Sequence, residues 1–150
     1  MKKITLIASL LALCAFVAPV HAQTEVMAWG NLTGIRIDGQ LIEFETSFRI
    51  VEKDWTSMFA SGRERANTTF VREDGKAIVR SGAERIRYEE TVADPEKGKA
   101  VVTLTYQSDT TRRIEGFYYA FTFPKQRYAN ADIKISGKRI DVKAPGRNVQ

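Results

Sequence analysis

One stretch of the chain, residues 30–55, restricts its fold more than any other. Asp38-Gly39 is the clearest hairpin turn, because a two-residue loop between strands needs positive φ at both central positions, which Gly accepts freely and Asp tolerates. After this turn apolar and polar side chains alternate, and the positions expected on one face are Ile42, Phe44, Thr46, Phe48 and Ile50. A period of two is typical of a strand with one buried face. The stretch therefore predicts an antiparallel sheet that is exposed on one side.

The remaining chain continues in short strands and turns. Asp74-Gly75 centres a second predicted hairpin over residues 67–80, and Ser136-Gly137-Lys138 centres a last one. Residues 53–62 are predicted to form a loop, and the strand that contains Val92 is predicted to end at residues 94–98. The pattern includes roughly nine strands and no convincing amphipathic helix. It predicts an all-β fold, an antiparallel two-sheet β-sandwich in a single domain over residues 23–150.

Residues 112–123 form the most apolar of these predicted strands. Phe117, Tyr119 and Phe121 fall on one face, while Tyr118 and Ala120 fall on the other. Apolar residues on both faces indicate either a central strand covered on both sides or a strand with one binding face. The residues predicted to form the core are Phe44, Phe48, Ile50, Val102, Leu104 and Phe121.

The chain begins with the features of a secretory signal peptide. A cationic start, Met1-Lys2-Lys3, precedes an almost wholly apolar run, and Val20-His21-Ala22 has the small-x-small pattern of a cleavage site. We predict a signal peptide over residues 1–22, cleavage between Ala22 and Gln23, and export to the periplasm or beyond the cell. No later stretch approaches the ~20 apolar residues of a membrane-spanning helix. The mature chain is therefore expected to lack a membrane span.

Cleavage there changes the available chemistry. The single cysteine, Cys14, and the single histidine, His21, both lie in the predicted signal peptide. Without them the mature chain has no disulfide, no Ser-His-Asp triad, no Cys-His pair and no zinc site of the usual kind. Most hydrolase mechanisms are thereby excluded. We predict no catalysis by this chain alone, and we assign it no catalytic residue, no metal and no cofactor.

The charge of the chain is mildly basic. The formal net charge is +5, and removal of Lys2 and Lys3 lowers it by two. Basic residues alternate with Glu and Thr along the predicted strands, which indicates a solvated sheet face. A nucleic-acid interface needs a denser basic stripe with aromatic residues between, so no nucleic-acid partner is predicted. An acidic glycan remains compatible with this charge.

Carboxylates are the only acid–base pair that the mature chain offers. Glu43 and Glu45, as i and i+2 neighbours on one strand, would have Cα atoms about 6.5–7 Å apart. Carboxyl pairs that flank a glycosidic bond are ~5–9.5 Å apart, so the spacing is compatible with a small carboxylate-dependent glycosidase. Any Glu-x-Glu in a strand has the same spacing, however. Asp94 and Glu96 suggest a calcium site, but such sites usually contain more acidic ligands.

One stretch resembles a known family. Residues 29–44, W-G-N-L-T-G-I-R-I-D-G-Q-L-I-E-F, and the following R-I-V-E-K-D-W that ends at Trp55 are similar to the N-terminal β-sandwich domain of large secreted bacterial glycoside-hydrolase-like proteins. In that family the sandwich precedes a catalytic barrel. The resembling residues are structural and include no catalytic residue of the family. The resemblance implies a carbohydrate-associated module, either free-standing or the amino-terminal part of a longer protein.

Aromatic side chains are the best candidates for ligand contacts. Their flat apolar faces stack on sugar rings while polar edges bind hydroxyls. The predicted carbohydrate-binding residues are Trp55, Trp29, Tyr119 and Tyr128. Trp55 ranks first because it follows a charged segment where a strand ends, and loops on a rigid scaffold often carry binding residues. The competing interpretation is that Trp55 is buried as a plug against the end of the sheet.

Three functions follow from these observations. The first is an exported, non-catalytic module whose partner is a polysaccharide or another glycan. The second is an exported structural or interaction protein that pairs with its partner through exposed sheet edges. The third is the small carboxylate-dependent glycosidase. The oligomeric state is not determined by the sequence.

Overall fold

The computed structural model describes residues 23–55, 58–62, 67–83 and 85–140. The predicted signal peptide and the residues after 140 lie outside this part of the chain. Within it, no helix has the length and apolar character needed to cross a membrane.

The described residues form twelve strands, one four-residue helix and one short 3-10 helix. The strands are β1 (Thr24–Val26), β2 (Leu32–Ile37), β3 (Gln40–Glu43), β4 (Glu45–Glu52), β5 (Met58–Ala60), β6 (Thr69–Glu73), β7 (Lys76–Ala83), β8 (Ile86–Glu96), β9 (Lys99–Ser108), β10 (Ile114–Thr122), β11 (Ile133–Ile135) and β12 (Lys138–Ile140). The helix α1 is Lys125–Tyr128, and the 3-10 helix is Lys53–Trp55. The prediction of an all-β fold is confirmed.

All strand pairs are antiparallel, and they form four sheets. The strand orders are β1-β2-β3, β10-β4-β5, β6-β7-β8-β9 and β11-β12. The arrangement of these sheets as a two-sheet sandwich stays a prediction.

The predicted hairpin turns lie where the sequence placed them. Asp38-Gly39 joins β2 to β3 with φ angles of 51° and 80°, and Asp74-Gly75 joins β6 to β7 with φ angles of 48° and 73°. Both residues of each turn are thus left-handed, as a two-residue hairpin loop requires. Ser136-Gly137 joins β11 to β12 in the same way.

The alternating stretch 42–50 is not one strand, because the chain changes sheets at Phe44. β3 pairs with β2, whereas β4 pairs with β10 and β5. Thr46, Phe48 and Ile50 are buried as predicted, but Ile42 is exposed. The alternation continues unchanged across the break, so its period could not locate the break.

Two further details correct the sequence prediction. The predicted loop at residues 53–62 contains the short strand β5. β10 lies at the edge of its sheet and is not a central strand.

The strand that contains Val92, β8, ends at Glu96, within the predicted range 94–98. It continues through Pro95 with a register irregularity after Ala93. Proline is tolerated there because a bulge does not require its missing N–H group.

Most buried apolar side chains of the described residues fall into two groups. The first contains Phe48, Ile50, Phe59, Ile86 and Tyr88, and the second contains Leu32, Ala77 and Val92. Phe44, Val102 and Leu104, also predicted as core, are half-buried against these groups. Phe121 is 53% exposed, so its prediction as a core residue was wrong. It lies near the end of an edge strand, where fewer neighbours cover it.

Candidate functional site

Trp55 is held on the surface in an unusual backbone conformation. It ends the 3-10 helix that follows β4, and both Asp54 and Trp55 are left-handed, with φ angles of 61° and 58°. This conformation costs roughly 1–2 kcal/mol per non-glycine residue. The Trp55 residue is nevertheless 56% exposed. The structure therefore does not support the interpretation of Trp55 as a buried plug.

Tyr118 supports the Trp55 ring. The two ring centroids are 5.8 Å apart and the planes are tilted by 36°. The Tyr118 ring in turn lies over Gly116, where an added Cβ would be 3.1 Å from Tyr118 Cε2. Gly116 pairs with Val51, which is buried. Trp55 and Tyr118 thus form an aromatic pair that is supported by the backbone of β10 at Gly116. We call this pair the aromatic platform.

Tyr119 lies on the opposite face of β10 and takes part in a partly buried chain of hydrogen bonds. Its hydroxyl donates to Glu90 Oε1 at 2.8 Å and lies 3.1 Å from Thr46 Oγ1. Because the only hydroxyl proton of Tyr119 is used on Glu90, Thr46 is the donor in the second bond. Thr46 Oγ1 accepts from Leu32 N at 2.9 Å. This polar chain therefore connects β2, β4, β10 and β8.

Glu90 ends the polar chain and is 1% exposed. Burial raises the pKa of its carboxyl from 4.5 to about 7, although the hydrogen bond from Tyr119 opposes the shift. Burial and the nearby Glu90 charge raise the pKa of Tyr119 as well, against the effect of the Thr46 hydrogen bond. Gly30 makes room for the carboxyl, because an added Cβ there would lie 2.8 Å from Glu90 Oε2. Glu90 can thus hold a proton near neutral pH.

The position of Glu90 does not fit a glycosidase. Such enzymes generally use two carboxyl groups that flank a bond in a bound substrate. The polar chain of described residues contains one carboxyl group, and it is enclosed. Sequence reasoning missed Glu90, yet a signal existed. Glu90 lies an even number of residues from Ile86, Tyr88 and Val92 on the same strand, so its carboxyl is on their buried face.

Tyr128 and Trp29 lie away from the aromatic platform. The Tyr128 hydroxyl donates to Glu43 O at 2.5 Å, and its ring centroid is 5.2 Å from that of Phe123. Trp29 is half-buried in the turn between β1 and β2. The structure therefore does not bring the four predicted carbohydrate-binding residues together in one place.

The two carboxylates predicted as an i, i+2 pair lie on different strands. Glu43 ends β3 and binds Arg127 Nη1 at 2.5 Å, whereas Glu45 begins β4 in another sheet. The predicted placement of both residues on one strand was therefore wrong. Among the described residues there is no group of three or more His, Cys, Asp or Glu side chains that could hold a metal ion.

Asp94 and Glu96, suggested as calcium ligands, have protein partners. Asp94 Oδ2 accepts from the backbone nitrogens of Gln23 and Thr24 at 2.8 and 3.0 Å. Glu96 Oε1 pairs with Lys99 Nζ at 2.8 Å. These contacts give the Asp94 carboxylate a structural role, whereas the Glu96–Lys99 pair is exposed.

A depression of about 670 Å³ on the four-stranded sheet carries three arginines, Arg80, Arg85 and Arg87. Arg80 Nε pairs with Glu89 Oε2 at 2.6 Å, and Arg87 Nη2 pairs with Asp109 Oδ1 at 2.7 Å. Acidic neighbours thus neutralise two of the three cations. This agrees with the interpretation of the basic residues as a solvated sheet face.

Comparison with known proteins found no match. No protein-family model, no curated protein and no solved structure matches the chain. The resemblance of residues 29–55 to the sandwich domain of glycoside-hydrolase-like proteins stays a prediction.

Proposed function

We propose that the protein is an exported, non-catalytic β-sheet module that binds a polysaccharide or another glycan through the aromatic platform. The observation that carries this proposal is the exposure of Trp55, 56%, in a left-handed backbone against Tyr118. Flat, rigid aromatic faces are suited to the C–H faces of sugar rings.

Two unfavourable features coincide at Trp55. Its large apolar surface remains in water, which forgoes the stabilisation that burial would supply. Its backbone also occupies a left-handed conformation that is unusual for a bulky residue. Strained residues of this kind cluster at ligand-binding and active sites, where the surrounding structure holds them. Both features therefore favour a binding role.

Polar groups near the aromatic platform suit the hydroxyls of a sugar. Arg49 is the β4 residue opposite Tyr118, and its Nε donates to Ser47 Oγ at 2.9 Å. Lys53 and Asp54 precede Trp55 and are exposed, with Lys53 Nζ 3.8 Å from Asp54 Oδ2. Donors and acceptors thus accompany the apolar rings, as in most small-ligand sites.

The test is a calorimetric titration of the mature protein with a panel of neutral and acidic soluble polysaccharides. Trp55→Ala should weaken binding by about 1–3 kcal/mol, or roughly 5- to 150-fold. The matched control is Met58→Ala, because Met58 is also apolar, is 53% exposed and lies on the adjacent strand β5. Both variants should retain stability within ~0.5 kcal/mol in a urea melt.

Two outcomes would refute the proposal. One is a wild-type protein that binds none of the polysaccharides. The other is a Trp55→Ala variant that keeps wild-type affinity for each polysaccharide that binds.

The position of β10 favours a second candidate function. β10 has nine residues and pairs with one strand, β4, among the described residues. A long edge strand can accept a strand from another chain. This function predicts a stable complex that survives Trp55→Ala and is lost when Phe121 is replaced by Pro, which removes a backbone donor of β10 that faces away from β4. Size-exclusion chromatography with light scattering over a range of protein concentrations measures self-association through this edge.

A further inference from the structure

Each backbone and side-chain polar group of Gln23 makes a hydrogen bond. Its backbone N donates to Asp94 Oδ2 at 2.8 Å, and its carbonyl accepts from Arg36 N at 2.6 Å. Its side-chain Nε2 donates to Glu96 O at 2.9 Å, while its Oε1 accepts from Gly98 N at 2.6 Å. The end of the β8–β9 hairpin therefore fixes both the backbone and the side chain of one residue.

Asp94 concentrates negative charge at the same place. Its Oδ2 accepts from Gln23 N and from Thr24 N, and its Oδ1 accepts from the Thr24 hydroxyl. Thr24 is buried. A neutral acceptor would be sufficient for backbone amides, whereas a carboxylate also suits a cation. The sequence predicts that cleavage after Ala22 places a cation here.

We propose that Gln23 is the amino terminus of the mature protein and that its α-ammonium binds the Asp94 carboxylate. Cleavage between Ala22 and Gln23 converts the amide nitrogen, 2.8 Å from Asp94 Oδ2, into a positively charged donor. The amide already donates to a carboxylate, and the α-ammonium adds the Coulombic attraction between two opposite charges. Processing of the chain thus strengthens the attachment of β1 to the β8–β9 hairpin. The proposal requires export but not carbohydrate binding.

The same contacts protect the new terminus from cyclisation. In that reaction the α-amine nitrogen attacks Gln23 Cδ, the N–Cδ bond forms, the Cδ–Nε2 bond breaks and ammonia leaves. An amine bound to Asp94 as an ammonium has no lone pair for the attack. The side-chain amide must also leave Glu96 O and Gly98 N before it can turn towards the amine. The mature protein should therefore retain an open-chain glutamine.

The first experiment expresses the complete chain in a secreting bacterium and determines the terminus by peptide mass spectrometry. The expected terminus is Gln23 without loss of ammonia. Asp94→Asn should cyclise several-fold faster during incubation of the folded protein. Glu96→Gln is the matched control, because its carboxylate pairs with the exposed Lys99 and only its backbone oxygen holds Gln23. This control should cyclise at the wild-type rate.

A second experiment separates the ion pair from general stability. Chains that begin at Gln23 or at Ala22 are released from a cleavable tag, in both the wild-type and the Asp94→Asn backgrounds. The extra residue keeps the Gln23 N–H but moves the ammonium away. It should lower the urea midpoint in the wild-type background and have no such effect with Asp94→Asn, as a double-mutant cycle requires for coupled groups.

Three results would overturn the proposal. They are a mature terminus other than Gln23, equal cyclisation rates for wild type and Asp94→Asn, or an equal effect of the extra residue in both backgrounds. A failure of the protein to bind polysaccharides would leave these results unchanged, so the two proposals fail separately.

Discussion

The hydroxyl of Tyr119 donates a hydrogen bond to Glu90 Oε1 at 2.8 Å and thereby joins the β10-β4-β5 sheet to the four-stranded sheet. Apolar contacts accompany this bond, such as Phe48 against Tyr88, whose ring centroids are 5.3 Å apart. Apolar contacts are non-directional, whereas a hydrogen bond between enclosed groups requires one relative position. The Tyr119–Glu90 bond therefore favours a single register between the two sheets.

We predict that Glu90 makes the protein less stable as the pH rises from about 4.5 to about 7. The pKa of Glu90 is about 7 in the folded protein and 4.5 ordinarily, so the unfolded chain loses this proton first. Over that interval the folded state binds more protons, and stability falls by roughly 3 kcal/mol in all. Glu90→Gln should abolish this contribution. Urea melts across this pH interval measure it.

The matched control for Glu90→Gln is Glu89→Gln. Glu89 is the neighbouring residue on the exposed face and pairs with Arg80. An exposed ion pair contributes little to the free energy of unfolding, so Glu89→Gln should keep the wild-type pH dependence of stability. If Glu90→Gln kept it too, another group would be responsible and the assignment to Glu90 would be wrong.

We predict a different result for Tyr119→Phe. Removal of the hydroxyl leaves Glu90 Oε1 and the Thr46 donor without their partner, which should cost roughly 1–3 kcal/mol. Because the lost bond lowers the pKa of Glu90, the variant should raise it, and the fall in stability should extend above pH 7. Polysaccharide affinity should not change, since this hydroxyl faces the polar chain. A loss of polysaccharide affinity beyond the effect on stability would instead show that Tyr119 contacts the ligand.

The fold could be predicted from the sequence wherever a local signal decided it. Asp38-Gly39 and Asp74-Gly75 fix their hairpins because few residue pairs adopt two left-handed conformations. The change of sheet at Phe44 and the edge position of β10 depend on which strands meet in space. Alternation reports only which residues share a face, so it could not predict either feature.

The candidate site was less predictable, for the same reason. Trp55 could be selected from the sequence because it follows a charged segment at the end of a strand. Its support by Tyr118 depends on the return of β10 beside β4, a pairing between residues distant in sequence. The burial of Glu90 could be predicted from its position on the apolar face of its strand. Its partners Tyr119 and Thr46 could not, because they come from two other strands.

We predict that Phe48→Ala lowers the free energy of unfolding by ~3–5 kcal/mol, the usual cost of deleting a buried Phe. Phe48 is buried, and its ring lies 5.8 Å from Phe117 in a stacked arrangement. Phe121→Ala is the control on the neighbouring strand β10, because Phe121 is largely exposed, and it should cost less than about 1 kcal/mol. Urea melts of the three proteins measure both values. Equal losses for the two variants would contradict the burial seen in the structure.

We predict that Asp54→Gly separates stability from binding at the aromatic platform. Asp54 has φ of 61°, a conformation that glycine adopts without strain, so stability should stay within about 1 kcal/mol of wild type. The backbone before Trp55 becomes freer, and ordering it on binding should weaken polysaccharide affinity by about 0.5–1.5 kcal/mol. Asp54→Asn is the control, because Asn also tolerates this conformation and should bind as wild type does. Calorimetric titration beside a urea melt measures both effects. Full affinity in Asp54→Gly, together with lost affinity in Trp55→Ala, would show that the left-handed backbone does not position the ring.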